Sequence, residues 1–92
     1  MNEKRVLVVI YGRVQGVGFR VSCQRQAAAL GVTGWVRNRW DDAVEALLEG
    51  SPEAVDAMVR WCQHGPPAAE VTSVEVRDAP PDTPRAAFAI RA

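Results

Sequence analysis

Nine residues, Gly12-Arg13-Val14-Gln15-Gly16-Val17-Gly18-Phe19-Arg20, set a glycine-punctuated loop in front of an arginine that opens an apolar-periodic segment. Chemically, this pattern suits an oxyanion. Gly16 and Gly18 lack a Cβ, so successive backbone N–H groups can turn toward one concave point, the geometry of an anion nest. Arg20 falls in the first turn of the expected helix, where the positive end of the dipole disfavours a cation by about 0.3 to 1 kcal/mol. A bound anion there offsets that cost. The Arg20 guanidinium adds a planar fork that takes two phosphate oxygens, each charge-assisted bond contributing about 1.5 to 3 kcal/mol net. The competing reading is a tight strand-to-helix turn with a solvated arginine, and glycine spacing alone does not separate the two.

Two familiar phosphate motifs do not fit. Gly16-Val17-Gly18 lacks the third glycine of a dinucleotide fingerprint, and no lysine follows as in a Walker loop. A chain of 92 residues is also too short for a doubly wound sheet, although it is long enough for one core, so residues 1–92 are expected to form a single domain. Lys plus Arg, at 11, balances Asp plus Glu, at 11, which leaves no electrostatic case for nucleic-acid binding. No apolar run approaches the about 18 residues of a membrane span, and Met1 to Arg5 leads into a strand pattern without a cleavage signal. A cytoplasmic protein is expected, with no membrane contact.

The elements that must position the loop can be read from periodicity. Val6 to Tyr11 is a β-branched run ending at Gly12, expected as a largely buried strand. Phe19, Cys23, Ala27 and Leu30 fall at helical spacing, with Gly31 as the stop, giving a helix over 19–30. Thr33 to Trp40 is the second strand, with Val36, Asn38 and Trp40 on one face and Trp35, Arg37 and Arg39 on the other. After the Asp41-Asp42 turn, Val44, Ala46 and Leu48 alternate with Glu45 and Glu49, completing a hairpin that Gly50 closes. Ser51-Pro52-Glu53 supplies an N-cap, a proline at the first helical position and an early acid. That helix is expected to reach about His64, with Val55, Met58, Val59 and Cys62 on the core side, until Gly65-Pro66-Pro67 stops it. Ala69 to Arg77 is the fourth strand, and Phe88 and Ile90 mark a short last strand after the loop Pro80 to Pro84.

The order strand, helix, strand, strand, helix, strand predicts an α+β, ferredoxin-like split βαβ sandwich (βαββαβ). Both helices cover one face of an antiparallel sheet, and a short extra strand stands at the C-terminus. A crossover through the first helix makes strands one and two parallel with strand three between them. Their exits therefore share one end of the sheet, two inter-strand spacings or about 10 Å apart. Asn38 should point, like Val36, to the helix-covered face, which predicts that Arg20 and Asn38 are neighbours in space.

Other residues that could do chemistry have plainer readings. Cys23 lies in a first helical turn, where a thiol pKa can fall, but it belongs to the core-facing stripe and no histidine is motif-linked to it. Cys23 and Cys62 are expected as two reduced, buried thiols, brought near each other by antiparallel helices. His64 reads as a structural residue at a helix end, and Trp35 and Trp61 as packing residues.

Gly12 to Arg20, followed by Gly34-Trp35-Val36-Arg37-Asn38, resembles the acylphosphatase family. The resemblance continues through Val44-Glu45, Glu49-Gly50, Gly65-Pro66-Pro67, Val74-Glu75-Val76 and Phe88-Ala89-Ile90-Arg91, in the family's order. It implies metal-free hydrolysis of a carboxyl-phosphate anhydride to carboxylate and inorganic phosphate, without a cofactor. In that resemblance Arg20 matches the phosphate-binding catalytic arginine and Asn38 the asparagine that holds the attacking water. Gln15, Gly16, Val17, Gly18 and Phe19 match the loop whose backbone amides cradle the phosphate. The implied partners are a small acyl phosphate substrate and a phosphate or sulfate anion in the site, with the chain acting as a monomer.

Trp40-Asp41-Asp42-Ala43 departs from the family's usual turn, which has glycine after aspartate. Asp42 is expected in a left-handed conformation. Trp40 is expected either to cover the core rim or to narrow the cleft, the first reading being the simpler. Val21 and Ser22 are smaller than the aromatics common at those positions, which leaves less ring surface near the cleft.

Three function classes are set against one another: an acyl phosphate hydrolase, a non-catalytic phosphate-binding module and an RNA-binding domain of related topology. The last needs paired aromatics on the central strands, and Val44-Glu45-Ala46-Leu47-Leu48 has none. Arg20 together with Asn38 favours the hydrolase, since anion binding alone needs no water-holding asparagine.

Overall fold

The computed structural model describes residues 3–80 and 85–92, so most of the expected Pro80 to Pro84 loop lies outside the described residues. Its elements run β1 (Lys4–Arg13), α1 (Phe19–Leu30), β2 (Thr33–Asn38), β3 (Val44–Gly50), α2 (Pro52–Cys62), β4 (Glu70–Asp78) and β5 (Phe88–Arg91). The strands form one five-stranded sheet in the order β4-β1-β3-β2-β5. The α+β, ferredoxin-like arrangement expected from the sequence is therefore present, with β3 central.

Register explains where the core sits. Val8 pairs with Ala46, and Ala46 with Val36, so the three form one row across the sheet. All three are fully buried, at 0% exposure. Onto this face α1 turns Phe19, Cys23 and Ala27, and α2 turns Val55, Met58 and Cys62. Each fully buried side chain of Val or Met size contributes about 1.5 to 3 kcal/mol relative to exposure, so this double layer is what holds both helices to the sheet. α1 packs on β2 and β5, whereas α2 packs on β1 and β3.

Both helix boundaries follow from local chemistry. Gly31, at φ 74°, ends α1, its N–H and that of Val32 bonding back to Ala28 and Ala27 carbonyl oxygens. Ser51 caps α2 by accepting from the Ala54 N–H at 3.2 Å. The last turn stops at Cys62 rather than His64, because the Gly65 N–H folds back to the Trp61 carbonyl at 2.9 Å.

The sheet differs from expectation in five respects. It is mixed, since β5 pairs with β2 in parallel, Gly34 opposite Phe88 and Val36 opposite Ile90. β4 and β5 occupy opposite edges, so the last strand enters beside β2 running in the same direction. Gly12 does not end β1; the strand continues to Arg13 through a register shift between Tyr11 and Gly12. An ideal Cβ at Gly12 would lie 2.1 Å from the Glu70 carbonyl oxygen, so glycine here permits a bulge and close approach of β4. β2 ends at Asn38, where the Arg39 N–H closes the hairpin on the Ala43 carbonyl at 2.8 Å. Finally, Glu45 and Glu49 are buried, both at 8% exposure, because Arg37 and Arg5 pair with them over the face away from the helices.

Candidate active site

The loop leaving β1 reaches α1 through two left-handed glycines, Gly16 at φ 74° and Gly18 at φ 80°, with Val17 between them. Nothing lies within 4 Å of an ideal Cβ at either glycine, so these positions are selected by backbone conformation and not by crowding. Gly18 is the N-cap of α1 and supplies no side-chain hydrogen bond, and no acid occupies the first turn. The first helical bond runs from the Ser22 N–H to the Gly18 carbonyl at 3.1 Å. The N–H groups of Phe19, Arg20 and Val21 thus have no partner within the helix. The contrast with α2, capped by Ser51 and carrying Glu53, is chemical: one N-terminus is satisfied by its own chain and the other presents its donors.

Asn38 arrives from β2. Ile10 and Asn38 both lie opposite Val44, so the exits of β1 and β2 flank β3 at the same end of the sheet. Two inter-strand spacings of about 4.8 Å separate them. The space between is a cavity of about 170 Å³ lined by Val14, Gly16, Gly18, Phe19, Arg20, Val21, Asn38 and Ile90. Arg20 and Asn38 therefore meet around one cavity, as their placement on the sequence predicts.

The charge of that cavity is unbalanced. Arg5, Arg13, Arg37 and Arg39 all pair with carboxylates. Arg25, Arg60, Arg77, Arg85 and Arg91 are exposed to water. Among the described residues, Arg20 is the arginine that is half-buried and yet has no carboxylate partner. Among the described residues no carboxylate, imidazole or thiol lines the cavity, so a guanidinium, backbone N–H groups without helical partners and an amide face one site.

The remaining loop residues are placed differently. Val17 packs its side chain against the core cluster. Gln15 borders a neighbouring cavity of about 360 Å³ with Gly12, Arg13, Val14 and Asp42. Its side-chain amide donates to the carbonyl oxygens of Arg39 at 2.8 Å and Ala43 at 3.0 Å. Phe19, buried under the loop, meets the Trp61 ring edge-on with centroids 5.2 Å apart. Val14 and Ile90 line the site without having been expected there. An apolar residue in a glycine loop or at the end of a short strand carries no chemical signal, and only strand pairing brings Ile90 to the cavity.

Cys23 and Cys62 are both free and fully buried. Their thiol–thiol hydrogen bond, with burial, pushes the Cys23 pKa well above its usual value. A thiol so held is not a nucleophile at neutral pH. Asp42 has the left-handed backbone expected of it, at φ 70°. Trp40 is 91% exposed and neither covers the core rim nor lines the cavity, because β2 ends before it and the turn carries it outward. His64 is exposed beyond the end of α2.

Fold and cavity together define a small ferredoxin-like sandwich with a positively charged pocket at the glycine loop. A family model described as Acylphosphatase matches residues 6–90. An acylphosphatase of Pelotomaculum thermopropionicum is 57% identical over 76 residues, covering 83% of each chain. One of Thermococcus kodakarensis is 57% identical over 77 residues, 84% of this chain and 85% of that one. The solved structure of an acylphosphatase from Coxiella burnetii superposes with a TM-score of 0.92 at 33% identity, covering 98% of this chain and 94% of that one. The chain belongs to the acylphosphatase family, and its activity is acylphosphatase activity. Among the described residues no helix is long and apolar enough to cross a membrane.

Proposed function

We propose that the chain hydrolyses acyl phosphates at the 170 Å³ cavity without a metal, Arg20 and the 15–19 backbone holding the phosphate and Asn38 the attacking water. The observation that carries this reading is the convergence of a half-buried, unpaired Arg20 and the uncapped N–H groups of α1 on the cavity that Asn38 also lines. Among the described residues the lining offers a metal ion no carboxylate, imidazole or thiol. An acyl phosphate brings a good leaving group, so the protein's task is positioning and charge stabilisation more than proton abstraction. The water oxygen bonds to phosphorus as the acyl oxygen–phosphorus bond breaks, and the carboxylate departs with the electron pair. Asn38 accepts a hydrogen bond from the water, and a phosphate oxygen of the substrate takes the proton released. The same reading has residues 1–92 acting as one monomeric cytoplasmic domain, with no cofactor and no nucleic-acid or membrane partner.

The test is metal-free hydrolysis of benzoyl phosphate, followed by ultraviolet absorbance, for the wild type, Arg20→Ala and Asn38→Ala. Removing one transition-state contact is expected to cost at least about 3 kcal/mol, or a hundredfold in rate. A wild type that binds phosphate but does not turn over would replace the hydrolase by a binding module. Full activity in either variant would refute the role given to that residue.

A further inference from the structure

Among the described residues Val21 and Ile90 are two of the four large apolar side chains left exposed, at 46% and 38%, and both line the cavity of Arg20 and Asn38. The other two, Trp40 and Val76, lie elsewhere. Scattered exposed hydrophobes need no explanation. Two that arrive from separate elements at the cavity of one unpaired guanidinium do. Val21 comes from the first turn of α1, beside Arg20. Ile90 comes from β5, at the end of the row that Val8, Ala46 and Val36 form across the sheet, two residues before the level of Asn38. Gln24 fixes the two relative to each other, its amide donating from α1 to the Phe88 carbonyl of β5 at 3.2 Å. The Val21–Ile90 rim is thus built into the fold.

Volume decides what the rim touches. A cavity of about 170 Å³ is on the scale of a phosphate group and its nearest water, not of a whole organic ligand. It falls well short of the about 300 to 1,000 Å³ that encloses a larger ligand. With phosphate against Arg20 and the loop amides, the acyl portion of a substrate must lie at the mouth, where Val21 and Ile90 stand.

We propose that Val21 and Ile90 form the acyl-group subsite and make the enzyme favour apolar, uncharged acyl phosphates over those whose acyl group ends in a carboxylate. The inference rests on the hydrolase reading above. A terminal carboxylate laid on two branched aliphatic side chains loses hydration without gaining a partner, whereas a ring or alkyl group gains by leaving water.

The experiment compares benzoyl, acetyl and succinyl phosphate as substrates, with inorganic phosphate as competitive inhibitor, for the wild type, Val21→Ser, Ile90→Ser and Ile90→Lys. In the wild type kcat/KM is expected to fall from benzoyl to acetyl to succinyl phosphate. Each serine variant is expected to lose about tenfold of the benzoyl-over-acetyl preference, chiefly through KM. Ile90→Lys is expected to raise succinyl over benzoyl phosphate by about tenfold. Inhibition by inorganic phosphate, which has no acyl group, should stay within about twofold of wild type in the two serine variants, while Ile90→Lys, whose cation also attracts phosphate, is read by its succinyl-to-benzoyl ratio alone. Unchanged substrate ratios with unchanged phosphate inhibition would overturn the subsite and leave the hydrolase standing. A wild type that hydrolyses none of the three would overturn the hydrolase reading and the subsite with it.

Discussion

The side-chain amide of Gln15 donates to the Arg39 carbonyl oxygen at 2.8 Å, tying the glycine loop to the residue that follows Asn38. A second bond from the same amide reaches Ala43 at 3.0 Å, across the hairpin turn. The two sides of the candidate site are thereby held by one side chain. Gln15→Ala is expected to cost about 1 to 2 kcal/mol of stability, since two carbonyl oxygens lose a donor. Turnover of benzoyl phosphate should drop about tenfold, mainly in kcat, as Asn38 loses its fixed distance from the loop. Gln15→Glu should do worse, because its carboxylate would face both carbonyl oxygens. Denaturant titration beside steady-state kinetics checks both effects.

Gly16 and Gly18 have open space around them and differ from other loop residues only in backbone conformation. Gly18→Ala is therefore expected to cost about 1 to 2 kcal/mol from strain alone, with no packing defect. Relaxation out of the left-handed region would turn the loop N–H groups aside, so inhibition by inorganic phosphate should weaken along with stability. An alanine variant that is less stable yet binds phosphate as wild type would separate the conformation from the cradle.

Cys23 should be unreactive in the folded protein. Its thiol is buried and hydrogen-bonded to Cys62, both of which raise its pKa. The folded state thus holds this proton more tightly than the unfolded chain, whose thiols ionise near pH 8.5 or so. The associated stability is intact below about pH 8.5 and declines as pH rises above it, by up to about 1.4 kcal/mol per pH unit. Thermal melts between pH 7 and 10 should show this alkaline decline, and Cys23→Ala should flatten it while lowering stability at pH 7. Disulfide-exchange labelling of the native protein should be slow and should accelerate with denaturant.

Ser51 offers a control. Ser51→Ala removes the cap of α2 and is expected to cost about 1 kcal/mol, read by denaturant titration. Kinetics on benzoyl phosphate should not change, because α2 starts away from the cavity.

Much of this architecture was legible where local chemistry decides it. α1 runs over Phe19–Leu30 because a glycine brackets each end, and Gly18 and Gly31 act through their own backbones. One crossover rule fixes the relation of β1 and β2 and so brings Arg20 beside Asn38. What escaped depends on contacts distant in sequence. The direction of β5 is set by the edge of the sheet it joins, and Ile90 enters the cavity only through that pairing. Burial of Glu45 and Glu49 requires Arg37 and Arg5 to cover them. Trp40 looked like a continuation of β2, but the strand stops two residues earlier and the ring turns to water.

The parallel pairing of β5 with β2 also makes the choice of acyl group depend on the last strand of the sheet. It joins residues from opposite halves of the chain, whereas the glycine loop, α1 and the β2–β3 hairpin are local or nearly so. Closing the longer loop carries the greater entropic cost before any contact compensates for it. An edge strand held at that cost is readily released, so fraying of β5 should erode the choice of acyl group before the grip on phosphate.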